Sequence, residues 1–426
     1  MKMNALQRIQ PPLFPFSATI SIPVKHIHLR NGISVFIIDS GTENVMRIEF
    51  IFRAGIVKED IPLLATTTNM MLTEGSEKYT SEELNRLLDY YGVFLNPGVE
   101  KDTAGLMVFF LNRYIDKVLG LTREVLFRST FPEKELVLLM KKRLRWYMVN
   151  REKVQNLAMD AFFESIFGNH HPYGRQVQEK DFDNMNPSLL KDFHSKFYAP
   201  GNMTIIASGR IHEKTIDILE KYFGTLHSKR IYNEEPVNLI KEASAKKIHI
   251  EKKGAVQSAV RIGSTTINKR HPDYPGLKFL NTLLGGYFGS RLMKNIRENK
   301  GYTYGIHSAV SSLDLSGFKL ISTEVNKNKC TQAIEEIYSE IRKLQTNPVE
   351  KEEMDVVRNY MSGELVRMFD GPFAMAESFK ALWEFGLDTS YFNRLAEVIK
   401  TISPDEIIKL AGTYYNIEDL YEVIAG

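Results

Sequence analysis

The sequence is organised around the segment Asn281-Thr-Leu-Leu-Gly-Gly-Tyr-Phe-Gly-Ser-Arg-Leu-Met-Lys-Asn-Ile-Arg-Glu-Asn-Lys-Gly-Tyr-Thr-Tyr304. Glycines interrupt its apolar beginning, where they let the backbone turn sharply or approach a neighbour closely; they are Gly285, Gly286 and Gly289. A helical run follows, because Leu292 and Ile296 recur four residues apart. Gly301 is placed as a helix C-cap, and the alternating residues from Tyr302 onward predict a strand.

Arg297 and Tyr304 lie seven residues apart, on the two sides of the predicted turn at Gly301. A cation and a phenol can therefore be presented on one surface. By itself this pattern is weak, because a glycine pair before a helix is usually only a turn. Without further support, the better interpretation of Arg297 is a surface residue that pairs with Glu298 or Glu324.

The composition is that of an ordinary globular protein. Its 426 residues exceed one typical core and predict two domains. Hydrophobic residues make up 43% and charged residues 25% of the chain. The formal net charge of +3, spread over this length, gives no signal for nucleic acid or for a membrane, and no apolar run approaches the roughly 18 residues of a membrane-spanning helix. We therefore expect neither a nucleic-acid nor a membrane partner.

Cysteine usage and the N-terminus bear on the compartment. Cys330 is the one cysteine of the chain, which excludes internal disulfides and a metal site built from several cysteines. The stretch from Met1 to Ser17 contains Lys2 and Arg8 but no continuous apolar region, so it does not read as a signal peptide. A cytoplasmic location fits both features, and a signal peptide cut from the sequence stays an alternative.

One unit of helix, tyrosine, short turn and buried strand occurs twice. Its copies run from Pro187 to Gly209 and from Pro404 to Gly426. The proline, the tyrosine (Tyr198 or Tyr415) and the final glycine keep identical spacings in the two copies. Three shared anchors and a matching apolar pattern predict a duplicated half.

The predicted domains follow from this duplication. A polar and charged segment with Pro236, residues 228–245, reads as a linker between domains at 20–227 and 246–426. In the first half, a long helical pattern from about residue 133 to 167 breaks near Arg151. Strand and helix patterns in both halves predict an α+β fold, in which two pseudo-symmetric halves each pack helices on one side of a sheet.

The glycine-rich segment resembles a known family signature. Leu284-Gly-Gly-Tyr-Phe-Gly-Ser-Arg-Leu292 followed by Arg297-Glu-Asn-Lys-Gly-Tyr-Thr-Tyr304 resembles the C-terminal half of the insulinase/pitrilysin zinc peptidases, in particular the bacterial branch similar to mitochondrial processing peptidase. The first half is similar to a family N-domain at Phe52-Arg-Ala-Gly55, Glu74-Gly75, Tyr173-Gly174, Phe197-Tyr198, Asn202 and Gly209.

This resemblance implies a fold and a site. The two halves would form one side of a clam-shell chamber, which a second chain closes. Arg297 and Tyr304 would lean into the active site and hold the peptide bond that is cut. Gly285, Gly286 and Gly289 would belong to a loop that contacts the peptide substrate.

The metal element of the family is missing. Active members carry His-x-x-Glu-His on the first long helix, because histidines at i and i+4 share one helical face and the glutamate accepts a proton from the zinc-bound water. The corresponding stretch here is Ala65-Thr-Thr-Thr-Asn69, so Ala65, Thr68 and Asn69 stand at the motif positions. None of the three is a usual zinc ligand or general base.

The carboxylate that completes the zinc site is absent as well. No aspartate or glutamate occurs between residues 136 and 151. That place is crowded by cations that would repel zinc, namely Lys141, Lys142, Arg143 and Arg145. We therefore expect no metal and no other cofactor in this chain, with zinc held by a partner subunit.

Three functions remain open. The favoured one is a noncatalytic subunit of a heterodimeric zinc metalloendopeptidase, which supplies Arg297 and Tyr304 to a zinc-bearing partner or forms a homodimer in its absence. The second is an inert peptide-binding or scaffold protein of the same fold. The third, a stand-alone zinc peptidase, conflicts with the residues at 65–69. Retention of both Arg297 and Tyr304 favours the first, since a pure scaffold needs neither.

Overall fold

The computed structural model describes residues 21–227 and 240–426. The predicted linker at 228–245 lies largely outside the described residues. The stretch from Met1 to Ser17, which does not read as a signal peptide, lies entirely outside them. Of the linker, residues 240–245 are described and form neither helix nor strand.

The first half builds a six-stranded sheet with the order β1-β2-β6-β3-β5-β4. Its strands are β1 (Val24–His28), β2 (Ser34–Asp39), β3 (Val45–Phe52), β4 (Phe94–Val99), β5 (Ala104–Leu111) and β6 (Met203–Gly209). Its helices are α1 (Leu64–Met71), α2 (Ser81–Tyr91), α3 (Ile115–Phe127), α4 (Glu133–Asn150), α5 (Val154–Phe167), α6 (Pro187–Phe197) and α7 (Glu213–Leu219).

The second half builds a five-stranded sheet with the order β7-β11-β8-β10-β9. Its strands are β7 (Lys247–Ile250), β8 (Gln257–Thr266), β9 (Thr303–Ser312), β10 (Gly317–Asn326) and β11 (Tyr421–Ala425). Its helices are α8 (Tyr274–Asn281), α9 (Cys330–Thr346), α10 (Lys351–Arg367), α11 (Gly371–Trp383), α12 (Ser390–Thr401) and α13 (Pro404–Tyr414).

Apart from β1, which has no counterpart in the second sheet, the two sheets have the same strand order, and this confirms the predicted duplication. Strand β6 runs parallel to β2 and antiparallel to β3. Strand β11 likewise runs parallel to β7 and antiparallel to β8. The two copies of the repeated unit, α6 with β6 and α13 with β11, therefore occupy equivalent places in the two halves.

The repeated tyrosines explain why the unit keeps its spacing. Tyr198 and Tyr415 follow α6 and α13 directly and are 1% and 2% exposed. The amide of Asn69 on α1 donates to the Tyr198 hydroxyl at 3.0 Å. In the second half, the Tyr415 hydroxyl donates to the Oδ1 atom of Asn281 on α8 at 3.2 Å. Because a buried hydroxyl needs a partner, each half pairs its tyrosine with an asparagine of its first helix.

Each sheet also receives one helix from the other half. Successive strand residues face opposite sides, so each sheet has two packing faces. Helices of the same half cover one face, as predicted. Helix α5 of the first half packs Phe162 and Ile166 on the opposite face of the second sheet, against Tyr421 and Val423. Helix α11 of the second half packs on the first sheet, where the Phe379 ring lies 4.9 Å from that of Phe36.

The exchanged helix α11 covers buried charges on β3. Arg47 and Glu49 are 3% and 4% exposed, although they lie in a strand that is otherwise apolar. Arg47 pairs with Glu49 and with Glu377 of α11. The Lys380 ammonium of α11 lies 3.2 Å from the second carboxylate oxygen of Glu49. These four charges therefore join the sheet of one half to a helix of the other.

Strand β10 contains a buried lysine whose titration should be visible in the stability of the fold. Lys319 is 4% exposed, and its ammonium donates to the Ser264 hydroxyl rather than to a carboxylate. Burial lowers its pKa to about 8. In the unfolded chain a lysine titrates near pH 10.4. Between these values the unfolded state binds more protons, so the free energy of unfolding rises with pH.

We therefore expect the pH dependence of unfolding to change in Lys319→Met. Relative to this variant, the wild-type chain should gain roughly 2 kcal/mol of unfolding free energy between about pH 7 and pH 10. Urea denaturation at both pH values measures the difference. Lys327→Met, which removes an exposed lysine after the same strand, is the control and should leave the pH profile of the wild type unchanged. Equal profiles for wild type and Lys319→Met would contradict the assignment.

Candidate functional site

The glycine-rich segment folds as its sequence predicts. Helix α8 continues as a π-helical turn, Thr282–Gly286, and a second π-helical segment, Met293–Asn299, follows the loop. Leu292 and Ile296, the predicted apolar face, are both 0% exposed. Gly301 has φ +63°, a left-handed conformation that suits glycine at a helix end, and β9 begins two residues later.

Gly285 is the glycine of this loop whose size matters most to the fold. A Cβ at this position would lie 2.7 Å from the Cβ atom and 2.8 Å from the backbone nitrogen of Ser308 in β9. Gly285 is buried, whereas Gly286 is exposed and Gly289 is half-buried. The π-helical turn packs so closely on β9 that only glycine fits at position 285. Gly286 and Gly289, by contrast, remain accessible to a ligand.

Arg297 lies in the second π-helical segment, where its guanidinium carbon is 4.5 Å from the centre of the Phe288 ring. The alternative pairing with Glu298 or Glu324 is not formed. Glu324 instead pairs with the buried Arg261 at 2.7 Å. Arg297 makes no ion pair or side-chain hydrogen bond with any residue in the described ranges. Its charge is thus held by an exposed aromatic ring and is available to a ligand.

Tyr304 is the second residue of β9 and lines an open cleft. Its side chain is 92% exposed, which is unusual for a tyrosine. The cleft has a volume of about 620 Å³ and is lined on its other sides by Val154, Val256 and Glu324. Within the part of the chain that the structure describes, the Tyr304 hydroxyl has no hydrogen-bond partner. Both sequence-predicted catalytic residues are therefore accessible and free of internal polar partners.

The three positions first assigned to the lost zinc motif lie in the core. Ala65, Thr68 and Asn69 on α1 are 0%, 0% and 1% exposed. Asn69 donates to the Gly105 carbonyl oxygen and to the Tyr198 hydroxyl, both at 3.0 Å. Side chains at these positions face the sheet and α6, so Asn69 has a structural role in this chain.

The accessible side of α1 carries a different pair with i, i+4 spacing. Thr66 is half-buried and Met70 is 40% exposed. Of the four cations on α4, Arg143 alone reaches this helix: its guanidinium donates to the hydroxyls of Thr67 at 2.5 Å and Thr66 at 2.8 Å. The accessible pair on α1, Thr66 and Met70, is therefore offset by one residue from Ala65 and Asn69. The sequence could not distinguish these two sets of positions, because neither set contains a histidine.

These residues do not fit zinc in either register. Threonine and methionine are poor zinc ligands beside histidine and carboxylate, and the guanidinium of Arg143 adds a positive charge where the metal would need negative ones. In residues 21–227 and 240–426, no group of three or more histidine, cysteine, aspartate or glutamate side chains is arranged to hold a metal ion. We assign no step of hydrolysis to a metal in this chain.

A cavity of about 380 Å³ adjoins the accessible side of α1. It contains four groups that the sequence analysis did not single out, because they come from separate loops and helices without a shared spacing; they are Glu59, Lys101, Asp160 and Arg175. Glu59 is 7% exposed, accepts the backbone N–H of Ala65 at 2.9 Å and lies 3.4 Å from the Arg175 guanidinium. Burial raises the pKa of Glu59 and lowers that of Lys101.

Among residues 21–227 and 240–426, no helix is both long enough and apolar enough to cross a bilayer.

Comparisons with known proteins agree with these features. Residues 184–361, which include the glycine-rich segment, match the family model of the peptidase M16 inactive domain. An uncharacterized zinc protease, YmxG of Bacillus subtilis, is 23% identical over 346 residues, which cover 80% of this chain and 84% of that protein. The non-peptidase homolog YmxG of Helicobacter pylori is 19% identical over 360 residues, covering 84% and 83% of the two chains.

A solved structure shows the same fold. The crystal structure of a peptidase M16 inactive domain from Pseudomonas fluorescens superposes with a TM-score of 0.86 at 22% sequence identity and covers 95% of this chain and 98% of that chain. Residues 184–361 are therefore similar to the peptidase M16 inactive domain, and the resemblance to the insulinase-like zinc peptidases that the glycine-rich segment indicated is confirmed.

Proposed function

We propose that this chain is the noncatalytic subunit of a heterodimeric zinc metalloendopeptidase. The zinc-bearing partner carries out hydrolysis, and this chain closes the peptide chamber. One observation carries the proposal: Tyr304 is 92% exposed at the wall of a cleft of about 620 Å³, with its hydroxyl unpaired among the described residues. An exposed tyrosine and, seven residues before it, an arginine without an ion pair are expected where both contact a ligand, whereas a scaffold protein needs neither side chain in this state.

The proposed roles follow from the chemistry of the two side chains. The Tyr304 hydroxyl donates a hydrogen bond to the carbonyl oxygen of the peptide bond that is cut. Arg297, held face-on by Phe288, keeps its N–H groups free and stabilises negative charge that develops on the same oxygen. The exposed Gly286 and the half-buried Gly289 leave room for the peptide backbone, which is their proposed part in substrate binding.

The first half supports the division of labour between two chains. Zinc would need histidine or carboxylate ligands on the accessible side of α1, where Thr66, Met70 and Arg143 lie instead. We propose that this chain holds no cofactor and that a homodimer forms when the zinc-bearing partner is absent. We also propose the cytoplasm as its compartment, since a single buried cysteine, Cys330, is compatible with reducing conditions.

Mixing experiments test this function. Alone, the purified chain is expected to contain far less than one zinc per molecule and to leave fluorogenic peptides uncut. Co-expressed with a family member that carries His-x-x-Glu-His, it should form a complex that cuts peptides faster than the partner alone. Elemental analysis, light scattering and peptide turnover measure the three outcomes.

Two results would contradict the proposal. About one zinc per lone chain would favour a stand-alone peptidase. A stable complex whose peptide turnover equals that of the partner alone would favour the scaffold alternative.

A further inference from the structure

The cavity beside α1 has an unusual charge distribution. Its volume is about 380 Å³, and its charged lining residues are Glu59, Lys101, Arg143, Arg151, Asp160 and Arg175. The cavity lies between α1 and α4 of the first half and α5, the helix that crosses to the second sheet. It is separate from the cleft at Tyr304.

Ion pairs neutralise two of the four cations. Arg175 pairs with Glu59 at 3.4 Å. Arg151 lies 3.1 Å from Glu179 at the rim. Lys101 and Arg143, by contrast, have no carboxylate within 4 Å among the residues that the structure describes. Asp160 likewise forms no ion pair within 4 Å in this part of the chain, although its charge and that of Glu59 act on Lys101 from a longer distance. The cavity therefore presents two cations and one carboxylate outside close ion pairs.

The two free cations keep unused hydrogen-bond donors. Arg143 uses one N–H bond to each of Thr66 and Thr67, out of five that a guanidinium provides. Lys101 uses one of three, to the Tyr173 carbonyl oxygen at 3.1 Å, and its ammonium lies 5.2 Å from the centre of the Phe163 ring. Partly buried donors of this kind lose solvation unless a ligand satisfies them.

We propose that this cavity binds a carboxylate group of a peptide between Lys101 and Arg143. An ionised carboxylate accepts several charge-assisted hydrogen bonds and matches a guanidinium fork. The free carboxylate of Asp160 is suited to accept a backbone N–H of the same peptide. Trp146, 70% exposed at the cavity wall, offers an apolar surface to a neighbouring side chain.

The first turns of α5 connect this cavity to the Tyr304 cleft. Val154 lines the cleft, and Asp160 lines the cavity. Six helical residues span about 9 Å, which an extended peptide covers in about three residues. One extended peptide can therefore reach both openings along α5. The inference that the ligand is a peptide rests on the proposed function. The inference that the ligand has a carboxylate rests only on the charges of the cavity.

Calorimetry on the full chain without a partner tests the site and distinguishes the two sources of a carboxylate. One probe is a short neutral peptide with a free C-terminus, compared with its amide. The other is an amidated peptide with an internal glutamate, compared with its glutamine version. We expect one carboxylate form to bind at least tenfold more tightly than its neutral counterpart, and which pair does so identifies the source.

Variants locate the binding. Arg143→Gln should weaken the binding of the carboxylate peptide by about 10- to 100-fold, as loss of a charge-assisted bond predicts. Lys101→Met should also weaken the binding of the carboxylate peptide. It serves as a second variant if Arg143→Gln lowers the stability of the fold too far for calorimetry. Lys142→Gln removes an exposed charge from the same helix and should leave binding unchanged.

Equal affinity for charged and neutral peptides overturns the proposal, as does failure of every probe to bind the wild-type chain. Binding that Arg143→Gln and Lys101→Met leave unchanged overturns it too. Because no partner is present, these results are independent of whether a heterodimer cuts peptides.

Discussion

Replacing Arg297 by alanine or Tyr304 by phenylalanine is expected to lower the turnover of the assembled peptidase by roughly 100- to 1000-fold, which is the usual loss when one donor to a developing oxyanion is removed. Neither side chain has an internal polar partner in the described ranges, and Tyr304 is 92% exposed. Its hydroxyl therefore contributes nothing to the fold of the chain itself. The loss should appear in turnover, with assembly of the complex intact.

Steady-state kinetics on the complex with its zinc-bearing partner measure this effect. Two matched substitutions serve as controls. Lys294→Ala removes an exposed cation from the same helical segment as Arg297, and Tyr90→Phe removes the hydroxyl of a tyrosine that is 76% exposed on α2. Both controls should retain full turnover. If Arg297→Ala and Tyr304→Phe behave like them, the pair is structural, and the scaffold alternative gains support.

The elements that a sequence predicts best are those with a local signal. The capping box of Thr80 and Glu83 is formed at the start of α2. The helical pattern from about residue 133 to 167 breaks where predicted, since α4 ends at Asn150 and α5 begins at Val154. Gly301 adopts the left-handed conformation of a C-cap. Each of these depends on residues a few positions apart, which is the range that sequence patterns describe.

The sequence patterns did not predict strand β4, because its composition is unfavourable for a strand. The sequence Phe-Leu-Asn-Pro-Gly-Val contains three residues that strands disfavour. It forms a strand because it lies at the edge of the first sheet, where the missing N–H of Pro97 costs no ladder hydrogen bond on the open side. A tertiary position decided this element, and no local pattern encodes that position.

The packing of α5 and α11 on the sheet of the opposite half could not be predicted from the sequence either. An apolar helical stripe predicts that a helix packs, but the stripe does not name the sheet on which it packs. The polar residues Arg47 and Glu49 in β3 were a partial signal, because charges in a buried strand require partners from elsewhere. Those partners are Glu377 and Lys380, more than three hundred residues away in the chain.

The candidate site was predicted in part. The segment that carries Arg297 and Tyr304 has the local structure that was expected, since glycines and apolar spacing define it. The sequence does not fix the register of the motif positions on α1, because no histidine marks any of residues 65–70. Burial in the structure then separates the inward positions, Ala65 and Asn69, from the accessible Thr66 and Met70.

Glu49→Gln is expected to destabilise the chain by about 3 to 5 kcal/mol, the usual cost of removing one partner from a buried ion pair. Glu49 is 4% exposed and contacts both Arg47 and Lys380. The amide that replaces it is nearly isosteric, so the change removes charge and leaves the packing. Arg47 would then stay buried with Glu377 as its remaining anion. Urea denaturation followed by tryptophan fluorescence measures the effect, because Trp383 ends α11 at this interface.

Glu377→Gln separates the effect of burial from that of charge. It makes the same chemical change and removes another partner of Arg47, but the Glu377 side chain is 57% exposed. Because water solvates an exposed carboxylate in either state, its loss should cost less than about 1 kcal/mol. Equal destabilisation by the two substitutions would mean that the pair on β3 is not desolvated. A large loss confined to Glu49→Gln would show that the exchanged helix depends on charges buried in the sheet of the other half.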